Sequence, residues 1–343
     1  MSSIELSIVA TGRNDGYGGD FIGRSLMFLE SVARLAARSH MEVEVLLVEW
    51  NPPVRMPSWS EALITRRRRM RRVLPGLSVR FLTVPPAIHQ VQPGASDVPI
   101  FEYRAKNVGI RRARGSFVLA TNPDVLFSSG IARYLCSGPL APSSYYRTDR
   151  VDVSPPRCVL TGRMTEWWAR RHVVAIHPMA GSKHFDRPVG HHTALRQLAD
   201  QSATGSGAPD SKKARATASD PLASLHTNAS GDFMLMARAA WHLLGGYPEC
   251  FVSPHHVDSY MVVMAAASGL SQSVLPREAP LFHLEHPRAI DPQNPASATR
   301  PVNSYEDFRR DALSILEGHR SPRFNDESWG LAENDLEERM VVW

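Results

Sequence analysis

Three aspartates and a pair of histidines stand where this chain of 343 residues could do chemistry. Asp124 closes the run Phe117-Val-Leu-Ala-Thr-Asn-Pro-Asp124, in which an apolar strand gives way to polar residues. A carboxylate there, with the amide oxygen of Asn122 two residues earlier, suits a hard cation such as Mg²⁺ or Mn²⁺, which needs few protein oxygens when a diphosphate supplies the rest. The same Asn-Pro-Asp triplet also reads as a plain turn, since Asn and Asp satisfy local backbone groups and Pro fixes φ. Asp258, in His255-His256-Val-Asp258-Ser259, opens a helical pattern. It has two uses there: capping the helix and complementing its dipole, or acting as a general base toward a hydroxyl. Asp232 follows Ala229-Ser-Gly in a turn-like stretch. In Phe282-His283-Leu-Glu285-His286, extended backbone puts His283 and Glu285 on one side and His286 on the other. The three are therefore not expected to share one ion, although one histidine from this strand could complete a site begun by Asp124.

Other chemistries fit less well. Gly16, Gly18 and Gly19 follow the first strand, but Phe21 stands where the third glycine of a dinucleotide fingerprint belongs, and no Walker A pattern occurs. Hydride transfer and P-loop chemistry are disfavoured on this ground. Cys136, Cys158 and Cys250 show no Cys-x-x-Cys spacing, and HExxH is absent, which argues against a disulfide scaffold or a zinc module and for a reducing, cytoplasmic setting.

The elements that must position these groups are legible as alternating strands and helices. Residues 6–10, 43–48, 79–84 and 117–120 are short apolar runs that read as strands. Ile22, Leu26, Leu29, Ala33 and Ala36 share one helix face between the first two, and a helix through Tyr103, Asn107 and Ile110 precedes the fourth, with Gly115 placed as its cap. Continuous apolar strands alternating with helices predict an α/β fold with a mainly parallel sheet covered on both faces. Ligands of such sheets bind at the carboxyl ends of the strands, here residues 11–15, 49–51 and 121–124. Farther on, residues 201–220 carry almost no large apolar side chain and read as a flexible insertion. A strand at 233–236, a helix through Trp241, the breaker Gly245-Gly246, a helix from Val257 to Gly269 and an amphipathic segment at 308–316 follow.

Hydrophobic residues make up 43% and charged residues 21% of the chain, the balance of a folded protein, and no apolar run reaches bilayer-spanning length. No secretory leader pattern is seen at the start. The net charge of +5 comes from 39 Lys and Arg against 34 Asp and Glu, with much of the excess in Arg66, Arg67, Arg68, Arg69, Arg71 and Arg72. That run reads as a solvated helix face, with peripheral contact to an anionic membrane as its other use. Without aromatic interleaving or a recognition module it does not predict a nucleic-acid partner.

Taken in order, the motifs resemble the GT-A glycosyltransferases, family 2-like, which use nucleotide-diphosphate sugars. The resemblance rests on Leu6-Ser-Ile-Val-Ala-Thr11-Gly-Arg13-Asn14-Asp15, on Val45-Leu-Leu-Val-Glu49-Trp-Asn51, and on Arg104-Ala-Lys106-Asn107-Val-Gly109 with Ala113-Arg-Gly115. It continues through Thr121-Asn122-Pro-Asp124, Gly231-Asp232-Phe233, Gly245-Gly246-Tyr247-Pro-Glu249 and Val257-Asp258, and covers about the first 290 residues. Two positions depart from the family pattern: Asn122 replaces the first acidic residue of the metal motif, and Val257 replaces the first of an acidic pair.

The resemblance implies a Rossmann-like GT-A architecture with a nucleotide-sugar half at 1–130, a mixed acceptor half at 131–290 and a C-terminal extension at 291–343. It implies Thr11, Arg13, Asn14 and Glu49 near base and ribose, Arg104 or Lys106 touching phosphate, Asn107 as a further donor-binding residue, and Asn122 beside Asp124 in positioning the cation against the diphosphate. Asp124 and His283 would hold Mn²⁺ or Mg²⁺, and Asp258 would be the base of an inverting transfer from a UDP-sugar to an acceptor hydroxyl, with Asp232 in reserve. A catalytically weak or inactive nucleotide-sugar-binding relative, or a sugar-phosphate nucleotidyltransferase, are the other readings the same residues allow.

Overall fold

The computed structural model describes residues 4–66, 77–179, 181–204, 220–287 and 303–343. The arginines from 67 to 72 and most of the predicted insertion, residues 205–219, lie outside them. In chain order the first half runs β1 (Leu6–Gly12), α1 (Phe21–Ser39), β2 (Val43–Trp50), α2 (Trp59–Thr65), β3 (Ser78–Val84), α3 (Pro86–Gln90), α4 (Glu102–Arg112), β4 (Phe117–Thr121), β5 (Val125–Phe127) and α5 (Ser129–Cys136). There follow β6 (Ser144–Arg147), β7 (Arg150–Val153), α6 (Arg163–Ala169), β8 (Val173–His177), β9 (Lys183–Val189) and α7 (His191–Thr204). The chain closes with β10 (Met234–Ala237), α8 (Arg238–Leu244), α9 (Val257–Ala267), β11 (Ser271–Val274), β12 (Leu281–Leu284), α10 (Tyr305–Leu316) and β13 (Glu337–Val342).

A central eight-stranded sheet has the order β11-β6-β10-β4-β1-β2-β3-β13. Its core β4-β1-β2-β3 is parallel, as the unbroken apolar strands predict: every residue of β1 is buried. Helix α1 packs on one face and α4 with α9 on the other. Asp20 caps α1 by accepting from the Gly23 amide at 2.9 Å. The antiparallel β10 and the parallel β11 widen the sheet on the far side of β4. The last strand, β13, returns to pair antiparallel with β3, so the C-terminal segment finishes the edge of the sheet that the first residues begin.

A second sheet, β5-β12-β7-β8-β9, lies beside the first. Two of the chain's passages from the first sheet to the second are short, from β4 to β5 through residues 122–124 and from β6 to β7 through residues 148–149. Both crossings leave polar residues where the sheets part. Gly115 differs from its expected role: α4 ends on Ala113, and Gly115 instead approaches β1, where a Cβ would stand 2.6 Å from the Ser7 nitrogen. Among the described residues no helix is long and apolar enough to cross a membrane.

Candidate active site

Asp124 leaves the end of β4, the strand that neighbours β1 at the centre of the sheet. Its backbone carbonyl accepts from the Leu284 amide at 2.9 Å, which ties the crossing to the end of β12. On β12, His283 lies opposite Val125 of β5 and Asp152 of β7, so pairing alone brings its ring beside the Asp124 crossing and beside Asp152. His286 also reaches Asp124, with Nε2 at 2.9 Å from Oδ2. That corrects the expectation that alternation sends His283 and His286 to opposite sides. β12 ends at Leu284, so the period of two no longer governs residue 286.

Asp124, His283 and His286 offer one ligand atom each within 4.8 Å of one another. Nδ1 of His283 is engaged by Asp152 at 3.1 Å and Nδ1 of His286 by the Pro287 carbonyl at 3.0 Å. An imidazole that gives its Nδ1 hydrogen to an oxygen presents the lone pair of Nε2. With Nδ1 as the donor, a neutral ring would turn its Nε2 lone pair toward the carboxylate, so each contact needs a proton or a cation between nitrogen and oxygen. On the His283 side the gap to Asp124 Oδ1 is 3.9 Å, and that oxygen is buried without a hydrogen-bond partner. Two imidazole nitrogens and a carboxylate fit Mn²⁺ or a similar divalent ion. Burial works to raise the Asp124 carboxyl, but His283 and His286 outweigh it and hold the group well below the usual carboxylate range.

The remaining polar residues form a chain back to the same turn. Asn122 Nδ2 donates to Asp232 Oδ1 at 2.6 Å, and Arg150 Nη1 donates to Asp232 Oδ2 at 2.7 Å. Arg150 also grips Asp152 through Nε at 2.6 Å and Nη2 at 3.0 Å. Asn122, Asp232, Arg150, Asp152 and His283 thus make a hydrogen-bonded chain whose last ring faces Asp124, two residues along the same turn from Asn122. Burial works to raise the Asp232 carboxyl, yet Arg150 and His283 lower it.

Asp258 joins this constellation through the loop that carries Asp232. Its Oδ2 accepts from the Gly231 amide at 2.8 Å and its Oδ1 from Ser259, in its own first helical turn, at 2.9 Å. Each oxygen keeps a free lone pair, so helix-end bonding and a role toward a hydroxyl are compatible. The loop itself is anchored by Arg147, fully buried, which donates to the carbonyls of His226 at 3.0 Å and Asn228 at 3.0 Å. Ala229 sits in the left-handed region at φ 50° inside that loop, a strain tolerated where the surroundings fix the backbone.

No protein-family model matches the chain, and no curated protein matches it in sequence. Among solved structures it is similar to S. aureus TarS 1–349, at 13% identity and a TM-score of 0.40, over 82% of this chain and 60% of that one. It is similar to the same TarS fragment in complex with UDP-GlcNAc at 11% identity and a TM-score of 0.46, over 91% and 65% of the two chains. The catalytic domain of Drosophila β1,4-galactosyltransferase 7 in complex with xylobiose gives 9% identity and a TM-score of 0.38, over 89% and 79%. The chain spans under two thirds of the length of the TarS chains. The likeness is distant. The architecture described above is nonetheless the mixed α/β one, a large central sheet flanked by helices, that the GT-A resemblance implies.

The residues expected around base and ribose converge at the ends of β1 and β2. Thr11 Oγ1 donates to the Val48 carbonyl at 3.1 Å, and Arg13 Nε donates to the Asn51 carbonyl at 2.6 Å. Glu49, buried at 2% exposure, accepts from the Trp59 amide at 2.7 Å and the Asn14 amide at 3.4 Å. Burial pushes the Glu49 carboxyl up to about 7, against the lowering effect of those two amides. A carboxyl that holds its proton more tightly when folded contributes stability that is full below its unfolded value and lost as the pH rises through its folded one. Glu49→Gln should remove this dependence. Between about pH 4.5 and 8 the wild type should lose about 3 kcal/mol relative to the variant in urea unfolding, and parallel curves would show that Glu49 does not titrate this way.

Arg104, Lys106 and Asn107 are committed to protein partners. Arg104 donates to the Glu249 carbonyl at 2.9 Å, and Asn107 both donates to and accepts from the backbone of Tyr247 at 2.8 Å, fastening α4 to the Gly245–Glu249 turn. Lys106, fully buried, donates to Glu102 at 2.9 Å and to the Gly231 carbonyl at 2.8 Å, beside Asp232.

Sequence reasoning missed the loop after β1. The Tyr17 ring meets His286 edge-on at 5.2 Å, and Arg24 donates to the carbonyls of Tyr17 at 2.8 Å and Gly18 at 2.6 Å. Gly18 has φ 65°, and a Cβ there would stand 2.6 Å from His286 Nδ1 and 2.9 Å from Arg24 Nη2. One of the glycines that fail as a dinucleotide fingerprint, Gly18, thus packs against the candidate cation site. Gly18→Ala should displace His286 and weaken Mn²⁺ binding by about 10-fold or more in calorimetry, an effect of the size seen when the support of a metal ligand is lost. Unchanged affinity would mean that His286 is not a ligand.

Proposed function

We propose that this protein is a cytoplasmic glycosyltransferase that moves a sugar from a nucleoside-diphosphate donor, a UDP-sugar, to an acceptor hydroxyl with inversion. The observation that carries the reading is the junction of the two sheets. There Asp124 faces the Nε2 atoms of two imidazoles, and the polar chain that starts from Asn122 in the same turn leads through Asp232 to the loop that touches Asp258.

Asp124, His283 and His286 would hold a divalent cation, which when bound offsets negative charge developing on a departing diphosphate. The other steps belong to the chain's own residues. Thr11, Arg13, Asn14 and Glu49 line the strand ends on which base and ribose rest. Asp258 accepts the proton of the acceptor hydroxyl as its oxygen forms a bond to the anomeric carbon. The bond from that carbon to the diphosphate oxygen breaks, with its electron pair leaving on the nucleoside diphosphate. Asp232 keeps the loop in place through Arg150 and Asn122.

A thermal-shift screen of nucleoside diphosphates with and without Mn²⁺ tests the donor class. Binding to the native state raises the midpoint by mass action, so UDP with Mn²⁺ should raise it more than either alone. No shift with any nucleoside diphosphate would contradict the reading, as would pyrophosphate, in place of nucleoside diphosphate, as the product of turnover.

A further inference from the structure

Asp152 is a carboxylate at 1% exposure in the middle of the second sheet. Alternation along β7 places Val151 and Val153 in an apolar cluster with Phe282 and Leu284, while Arg150 and Asp152 take the opposite face. A buried charge costs several kcal/mol unless fully paired, and Asp152 is fully paired. It accepts from Arg150 Nε at 2.6 Å and Nη2 at 3.0 Å, from His177 Nε2 at 2.8 Å and from His283 Nδ1 at 3.1 Å. Four donors occupy its four acceptor sites. One of them is a ring whose other nitrogen faces Asp124.

We infer that Asp152 is a positioning residue for the cation site. By taking the Nδ1 hydrogen of His283 it fixes that ring in one tautomer and one orientation, with the Nε2 lone pair directed at Asp124. This rests on the reading of Asp124, His283 and His286 as a cation site, but names a residue that would touch neither cation nor substrate. The pairing register supports it: Asp152 and His283 are partners in the parallel β7–β12 pair, so the contact is set by the backbone as well as by the side chains. A carboxylate behind a ligating histidine orients the ring and raises its basicity, and losing such a partner typically weakens metal binding 10- to 100-fold. His286 has only the neighbouring Pro287 carbonyl in this role, which makes His283 the better anchored of the two rings.

Two measurements on the full chain test this, neither depending on turnover. In the metal-free protein, nitrogen-15 NMR of the histidine rings should show His283 protonated at Nδ1, its signal assigned by its loss in His283→Gln. Asp152→Asn offers one acceptor and an NH₂ group to four donors, so it should leave that ring as a mixture of tautomers. Titration with Mn²⁺ alone should give a Kd about 10- to 100-fold weaker in Asp152→Asn than in the wild type. Should the unpaired Arg150 keep the Asn variant from folding, Asp152→Glu keeps the charge but moves the oxygens by one methylene, and the same loss is expected. Ser182→Ala removes the hydroxyl that holds the far nitrogen of His177 at 2.8 Å. It should leave Mn²⁺ affinity unchanged.

Wild-type affinity in the Asp152 variants would overturn the inference while leaving the cation site standing. An equal loss in Ser182→Ala would overturn it too, as general loosening of the sheet. A wild-type chain that binds no Mn²⁺ would overturn the site itself, and the inference with it.

Discussion

Asp258→Asn should lower the rate of sugar transfer by about 10²- to 10⁴-fold, the range that a positioned general base contributes, and leave donor binding at its wild-type strength. The carboxylate stands in the first turn of α9 with one oxygen on the Gly231 amide and the other on Ser259. An asparagine oxygen can still accept one of these bonds, so the loop is expected to survive at a cost of about 1 kcal/mol. What asparagine cannot do is receive a proton from the acceptor. Asp232 does not substitute for it: Asn122 and Arg150 already engage its two oxygens, and Arg150 lowers its affinity for a proton despite burial. Steady-state kinetics with donor affinity measured separately decides the matter. Retained turnover would take Asp258 out of the base role, and a parallel loss of donor binding would make it a binding residue.

The second large effect falls on Asp124. Asp124→Ala should weaken Mn²⁺ binding by more than about 100-fold, beyond the range typical for loss of an outer partner, and metal-dependent binding of UDP should fall with it. The substitution removes the only carboxylate of the cluster and leaves His283 and His286, whose ring centroids are 5.5 Å apart, without the charge they share. Asp124→Asn keeps an oxygen ligand and should fall between alanine and wild type. Calorimetry with Mn²⁺, then with Mn²⁺ and UDP, reads both steps. If Asp124→Ala binds Mn²⁺ and UDP as the wild type does, the carboxylate serves only to hold the crossing between the sheets.

Much of this was legible in the chain itself. The four apolar runs that became β1 to β4 needed only their composition and the polar residues that end them, because a parallel strand buried on both faces is apolar throughout. Asp124 was visible as a polar residue at such an end. Its partners were harder to see, since apart from the local grip of Arg150 on Asp152 the contacts that join them span 82 residues or more. Arg150 and Asp152 alternate with Val151 and Val153 in a buried strand, a polar stripe that a single sequence does not distinguish from a solvent face. His286 was hidden by treating residues 282–286 as one extended strand, when β12 stops two residues earlier. Arg104 and Asn107 matched a motif whose local pattern says nothing of direction, and the structure turns both onto the Tyr247–Glu249 backbone. The glycines after β1 were weighed only against a dinucleotide fingerprint, although what Gly18 permits is close packing of the loop on His286.

The most direct test of the whole account is anomalous diffraction from crystals grown with Mn²⁺ and UDP. The account requires an anomalous peak bonded to Asp124, His283 Nε2 and His286 Nε2, with diphosphate oxygens completing the ion's shell and the Asp258 carboxylate opening onto the same cleft. A manganese peak elsewhere, or UDP bound away from Asp124, would contradict it.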